Sequence, residues 1–564
     1  VQTRANVIAL LREIEARGGA NVTVTIQETE PYSAQASLAR ERYNVFPHAV
    51  SDPSTGETAR DVYLGAAVTG GVEQEVIPFF DPGMSPEYEL ARAIRVVSRG
   101  QRKRLGIVDT DVKMLGGVDY RDNEPRPTWA AVQELRKQYD VVEVTPAGAA
   151  DVQVDVLLIV LPSRMTQTDL DLAIEPTRRG IPTLMLVDPL PMIDMRLAPA
   201  ADVASQIDPY RPTPSARLVF GDIRTALAGL GLNWVPAGIA WDGFNPHPDL
   251  AELPRETVFV GYGNGNPNAL NRRSPATVGL QEVLLLYPGY LLPVESSGFT
   301  FEPLLQTGRV SGSSSFFDVV TPTPTGMAIN ASMPREPDNH QYVLAAHVRS
   351  SKPLGRAPGA RPVDLIAIAD IDFISDTFFG MRAMEQAHAT FDNITFFSNA
   401  IDLLAGDEAF IALRNRRSRH RTLERLEAQT RTFMERRARD EQHAQKEART
   451  ALEDARTRLA KRVEELNART DLDAQARQIM VRNLEAAENR QQRVLESNIM
   501  QERDAKIRAS RETMEMHIRS IRTRIRTLAV LLPPVPVLLV GVALFVRRAR
   551  REREGARAMG RERK

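Results

Sequence analysis

DVLLIVLPSRMTQTDLDLAIEPTRRGIPTLMLVD, residues Asp155–Asp188, decides the fold class. Asp155–Leu161 is an unbroken apolar run of strand length. Asp169–Arg179 has helical spacing, and Thr183–Val187 is a second apolar run. Strands that read as continuous apolar runs are buried on both faces, which is the condition of a parallel sheet covered by its crossover helices. Working outward, Arg104–Val108 and Val141–Thr145 read as further strands around a helix at Thr128–Tyr139. Thr257–Val260, Val343–His347 and Leu365–Ala369 are additional strand candidates. Residues 101–412 are therefore expected to form an α/β domain with a mostly parallel sheet. The stretch Asn264–Asn271 and the serine cluster Ser311–Ser315 read as loops.

Upstream, residues 1–100 read as a smaller α/β unit. A helix at Val1–Arg17 leads to a strand at Asn21–Gln27 and a helix at Ala34–Tyr43. Strands at Asp61–Val68 and Glu73–Phe79 flank Gly70-Gly71, a hairpin signal, and Pro86 opens a helix running to Ser98. This order resembles a thioredoxin-like half whose first strand lies upstream, and without a C-x-x-C pair it carries no redox chemistry.

Downstream, Asn415–Leu528 contains no glycine or proline and reads as long helix over 413–526. Leu452, Leu459 and Leu466 recur every seventh residue. Ile507, Met514, Ile518, Ile521, Ile525 and Leu528 follow a three-four alternation. Thr470 or Asp471 can cap a new helix, so the expected arrangement is an antiparallel helical hairpin bending at Thr470–Asp473. The alternative is one continuous coiled coil that pairs with a second copy of the chain. Thr527–Val546 (TLAVLLPPVPVLLVGVALFV) carries no charge and has the length of a transmembrane helix. Arg547, Arg548, Arg550, Arg551 and Arg553 follow at once, which places the basic tail, 547–564, in the cytoplasm and the body outside it.

The chain has 564 residues, zero formal net charge and no cysteine. The charge balance gives no signal for nucleic acid. Without cysteine there are no disulfides, thiolate zinc sites or cysteine nucleophiles. No Gly-rich stretch ends in Gly-Lys-Ser/Thr, so ATP hydrolysis is expected only in a partner. Gly261-Tyr-Gly263-Asn-Gly265 has its third glycine one residue too early for a dinucleotide fingerprint. Gly308-Arg-Val-Ser311-Gly312 lacks the spacing of a serine nucleophile turn. The histidines are scattered, so no cofactor or metal is expected.

Asp109, Asp111, Asp188, Asp370 and Asp372 all follow apolar strands. Carboxylates at the carboxyl ends of parallel strands can line a ligand crevice or hold a hard cation. Aspartate there also caps the following turn or helix, a purely structural role.

Ile366–Phe379 (IAIADIDFISDTFF) and Phe391–Arg417 (FDNITFFSNAIDLLAGDEAFIALRNRR) resemble the end of the extracytoplasmic region of GldG-type auxiliary proteins of ABC-2-type transport systems, known from gliding motility. The resemblance rests on the Asp370-Ile-Asp372-Phe373 turn, the spaced Asn393 and Asn399, and the turn Leu404–Glu408. Glu73–Val97 looks like that family's junction between its first two domains. The resemblance implies a glutamine-amidotransferase-like domain without catalytic machinery. It also implies ABC permease and ATPase partners, and a binding role outside the cytoplasm at the inner membrane. The rival expectation is a membrane-tethered hydrolase or carbohydrate-binding enzyme that uses the sheet crevice.

Overall fold

A parallel strand pair needs a crossover, and the sequence supplies two helices of the right spacing. The computed structural model describes most of residues 2–415, leaving aside chiefly 51–59, 81–84, 120–123, 202–219 and 384–390. It then describes single residues and pairs between Asp440 and Thr527. The chain divides into two units, Val1–His420 and Arg421–Lys564.

The first unit is built on a nine-stranded sheet. Its strands are β1 (Arg104–Val108), β2 (Asp140–Val144), β3 (Val156–Val160), β4 (Thr183–Leu186), β5 (Leu232–Trp234), β6 (Leu291–Pro293), β7 (Phe299–Gln306), β8 (Val343–Pro353) and β9 (Pro362–Ile368). The spatial order is β5-β6-β8-β9-β4-β3-β1-β2, with β7 also on β8. From β2 to β9 every pairing is parallel. Beyond β9 every pairing is antiparallel. The helices Ala130–Arg136 and Gln167–Arg178 are the crossovers β1-to-β2 and β3-to-β4.

Every residue of β3 is buried. Val156, Leu158 and Val160 face a core that includes Leu135 and Phe397; Leu157 and Ile159 face another with Leu170, Ile174 and Leu227. Complete burial of such side chains stabilises by about 1.5–3 kcal/mol each, an upper estimate because unfolded chains already bury some surface. Gly180 ends the second crossover at φ +89°, and a Cβ there would lie 2.5 Å from the Arg361 carbonyl oxygen, which no side chain tolerates.

Several expectations change. Val343–His347 is a strand, but β8 runs antiparallel to β9. Thr257–Gly261 pairs with Glu282–Leu286 in a separate two-stranded ribbon. Ser311–Ser315 is a strand rather than a loop and pairs antiparallel with Gly238–Asp242. The pairing sets Gly312 opposite Trp241, where an added Cβ would lie 2.6 Å from the indole ring. Asn264–Asn271 is a loop, its turns closed by Asn264 and Asn266 side chains accepting the N–H groups of Asn266 and Asn268 at 3.0 and 2.9 Å.

In the N-terminal portion the helices Gln2–Gly18, Ala34–Tyr43 and Pro86–Arg99 form, and Gly71 (φ +63°) turns the Ala66–Gly70 and Glu73–Ile77 hairpin. Asn21–Gln27 is not a strand: a 3₁₀ turn ends at Asn21, Val22 is extended and the residues to Gln27 pair with no strand. His48–Val50 pairs only with Arg60–Val62, so the described strands form two separate ribbons and not the single sheet of a thioredoxin-like half.

In the second unit, every described residue from Asp440 to Thr527 is helical. Lys506 Nζ lies 2.9 Å from Glu447 Oε2. A continuous helix would hold residues 59 apart in sequence about 90 Å from each other, at 1.5 Å per residue. Glu447 and Lys506 therefore do not lie on one straight helix. The leucine series, the break at Thr470–Asp473 and the apolar run after Thr527 lie outside the described residues. Among the described residues no helix is long and apolar enough to cross a membrane.

Replacing Leu158 by Ala is expected to lower the stability of the sheet unit by about 2–5 kcal/mol. All three tryptophans lie in that unit, so urea denaturation followed by tryptophan fluorescence reads it directly. An unchanged midpoint would contradict the two-faced burial of β3.

Candidate functional site at the carboxyl ends of the strands

Leu186 of β4 pairs with Ile368 of β9 in parallel register. Asp188 and Asp370 each stand two residues beyond that pair, so the register sets them side by side. Asp372 opens the 3₁₀ turn Asp372–Ile374 that follows. All three are buried, and a carboxylate oxygen from each lies within 4.8 Å of the others.

Each of their oxygens accepts a backbone N–H. Asp188 takes Leu190 at 2.7 Å and Ile371 at 2.9 Å. Asp370 takes Asp372 at 2.6 Å and Leu286 at 2.7 Å. Asp372 takes Met192 at 2.7 Å and Ile193 at 2.9 Å. The bonds to Leu190 and Asp372 close local i-to-i+2 turns, the ordinary work of aspartate in loops. The other four tie the loop after β4, the loop after β9 and the ribbon Glu282–Leu286 together.

Burial pushes the Asp188 pKa well above the carboxylate range, and the charges of Asp372 and Asp370 push it further. Asp370 is raised for the same reasons, burial first and then Asp372. Burial lifts Asp372 to about 7, against the opposing hydrogen bonds from Met192 and Ile193. Three carboxylates this close in an apolar site repel one another, which favours keeping a proton in the cluster. Among the described residues it is the one group whose spacing would suit a hard cation, through lone pairs the backbone leaves unused.

The structure does not bring Asp109 and Asp111 into this cluster. Asp109 pairs with Lys113 Nζ at 2.8 and 2.9 Å. Asp111 is about half exposed and lies 3.6 Å from Arg164 Nε. This second pair bridges the loops after β1 and β3, the place where the strand order β2-β1-β3-β4 reverses and open α/β sheets bind ligands. Leu161, directly after β3, sits in the left-handed region at φ +51°, ψ +59°. A strained turn leaving a central strand is where α/β hydrolases present their nucleophile. Here the residue is a fully buried leucine.

Ser311 Oγ lies 2.9 and 2.6 Å from the carbonyl oxygens of Gly308 and His340 and is buried. His247 Nε2 is 2.8 Å from Glu282 and its ring packs on Phe259 and Phe391.

Asn393 and Asn399 are buried clamps. Asn393 Oδ1 accepts the Leu284 N–H at 2.9 Å while its Nδ2 donates to the Leu284 carbonyl at 2.8 Å and to Phe373 at 3.0 Å. The side chain thus acts as a strand partner for the free edge of Glu282–Leu286. Sequence reasoning missed two comparable groups. Asp242, raised to about 7 by burial, accepts the N–H groups of Phe244 at 2.9 Å and Gly308 at 2.6 Å. Arg414 is buried among Tyr88, Asn399 and Asp402. Arg414 stands in a basic run, so nothing in the sequence separates it from its exposed neighbours.

The family model described as an ABC-type uncharacterized transport system, auxiliary component, matches residues 102–400, more than half of the chain. The chain belongs to this family. No curated protein and no solved structure matches it. The matched span contains all nine strands of the ABC-auxiliary sheet, the aspartate cluster and both asparagine clamps.

Because the folded-state pKa of Asp372, about 7, exceeds its unfolded value of 3.8, its proton stabilises the fold fully below the unfolded value. That contribution is lost as pH rises through about 7. Asp188 and Asp370 act in the same direction. The thermal midpoint is expected to fall from pH 5 to pH 8, with a slope of about 1.4 kcal/mol per pH unit for each extra native-state proton. Asp188→Asn should flatten the profile. A midpoint that rises with pH over that interval would show that the cluster is ionised in the folded chain.

Proposed function

We propose that the chain is a non-catalytic, membrane-anchored subunit of a GldG-type ABC transport or gliding-motility complex. In this reading Thr527–Val546 crosses the inner membrane and the tail after Val546 is cytoplasmic. The body outside the cytoplasm binds a partner or substrate, and ATP hydrolysis belongs to an associated ATPase and its permease. The family match over the sheet domain carries the reading. Three features support a binding role over the hydrolase alternative. The chain has no cysteine nucleophile. The strained turn after β3 presents a buried leucine, and the buried aspartates are engaged with backbone amides.

The second unit would serve as an arm. Helix folded back on itself buries two narrow apolar stripes against each other, and the Glu447–Lys506 contact supports that arrangement. Each limb of about 55 residues would span roughly 80 Å.

Full-length protein purified from its native membrane in mild detergent is expected to carry an ABC permease and ATPase. ATP turnover should track the ATPase and disappear when it is washed off. Recovery of the chain alone, under conditions that preserve other transporter complexes, would count against the reading.

The arm has its own test. The chain lacks cysteine, so Glu447→Cys with Lys506→Cys gives a unique pair. A short bismaleimide should join them within one chain. Crosslinks found only between chains would favour the continuous coiled coil.

A further inference from the structure

We propose that the buried cluster around Arg414 is a joint that makes the helices Pro86–Arg99 and Glu408–Arg414 move as one body with the sheet. Arg414 is the last residue of the helix Glu408–Arg414 and only 5% exposed. The first unit ends a few residues later, at His420. Its guanidinium donates in three directions: to Asn399 Oδ1 at 2.6 Å, Tyr88 Oη at 2.7 Å and Asp402 Oδ2 at 2.7 Å. It also stacks on the Tyr88 ring at 4.4 Å. Tyr88 lies on Pro86–Arg99, and Asn399 and Asp402 on Asn393–Leu404, so one side chain joins three helices.

The partners are tied in turn to the sheet domain. Asp402 Oδ1 accepts from Tyr139 Oη at 2.5 Å and Gln138 Nε2 at 2.9 Å, and both follow the first crossover helix. Tyr88 Oη lies 3.3 Å from Gln138 Oε1. The next residue, Asn415, donates to the Val278 carbonyl at 2.7 Å and accepts from Asn399 at 3.2 Å. Around this centre, Arg95 pairs with Asp407 and lies over the Phe410 ring, while Tyr88 meets Phe410 edge-on. The helix Pro86–Arg99 thus grips both ends of Asp407–Arg414.

The geometry requires arginine. A planar fork can donate in several fixed directions while stacking on a ring; lysine, a point charge on a flexible stem, cannot. Because Arg414 and Asp402 are both buried, intermediate arrangements that separate them leave uncompensated charges. The joint therefore holds or releases as a unit, which suits transfer of displacement between the helices Glu408–Arg414 and Pro86–Arg99.

The experiment uses the full chain, whose lack of cysteine permits clean labelling. Spin labels at Ser98→Cys and Glu408→Cys report the joint; labels at Gln133→Cys and Asp171→Cys report the sheet domain. A narrow distance distribution is expected for the first pair, at least doubling in width in the Arg414→Lys background, with the second pair unchanged. Tyr88→Phe removes one hydroxyl without changing the ring and should produce a smaller broadening; it serves if Arg414→Lys fails to fold. An unchanged width at the first pair in both backgrounds overturns the proposal. So does broadening of both pairs together, which would make Arg414 a general stability residue.

Discussion

The chain leaves β4 and β9 through buried loops, and the backbone N–H groups of those loops must find acceptors without water. Asp188, Asp370 and Asp372 meet that constraint. Their oxygens take the amides of these two loops and of Leu286 in the ribbon strand. The cost is electrostatic, since three carboxylates in an apolar site repel and are poorly solvated. Keeping a proton relieves it, the direction in which burial and mutual repulsion push these pKa values. Asp242 repeats the device between the Gly238–Asp242 strand and the loop at Gly308.

Amide side chains solve the same problem where charge would be too expensive. Asn393 offers an acceptor and a donor together and completes the hydrogen bonding of Leu284 as a neighbouring strand would. Asn399 bonds to Ala276 at 3.2 Å and receives Arg414. The asparagines of the resemblance are therefore packing devices in this chain, holding the helices Asn393–Leu404 and Glu408–Arg414 against the ribbon strand, the turn at Phe373 and the loop at Ala276. Conversion of either to an apolar residue would leave buried amide or carbonyl groups unpaired, at about 1–3 kcal/mol each.

The N-terminal portion and the sheet domain meet through charge as much as through apolar contact. Arg92 is buried and bonds Glu75, Glu89 and the Lys137 carbonyl. Across the same boundary Arg95 pairs with Asp407. That sets the junction apart from the separate β-ribbons of the N-terminal portion, which share no sheet with the main domain.

The apolar runs of β1, β3, β4 and β9, the helical spacing between them and the Gly70-Gly71 turn determined the parallel half of the sheet and the hairpin from sequence alone. Period and side-chain chemistry are local, and a strand buried on both faces has to be apolar throughout. Asn21–Gln27 reads as a strand by the same local rule but finds no partner, while Ser311–Ser315 reads as a loop yet pairs with Gly238–Asp242. Pairing is a property of two segments, and one segment's propensity does not contain it. The sequence also marked aspartates after apolar strands, since that position is local too. It could not say that Asp188, Asp370 and Asp372 would meet while Asp109 and Asp111 would not, because strand order decides which loops are neighbours. Nor could it distinguish Arg414 from the arginines beside it. Only the tertiary structure decided that, by placing Tyr88, 326 residues away in sequence, within hydrogen-bonding distance of its guanidinium.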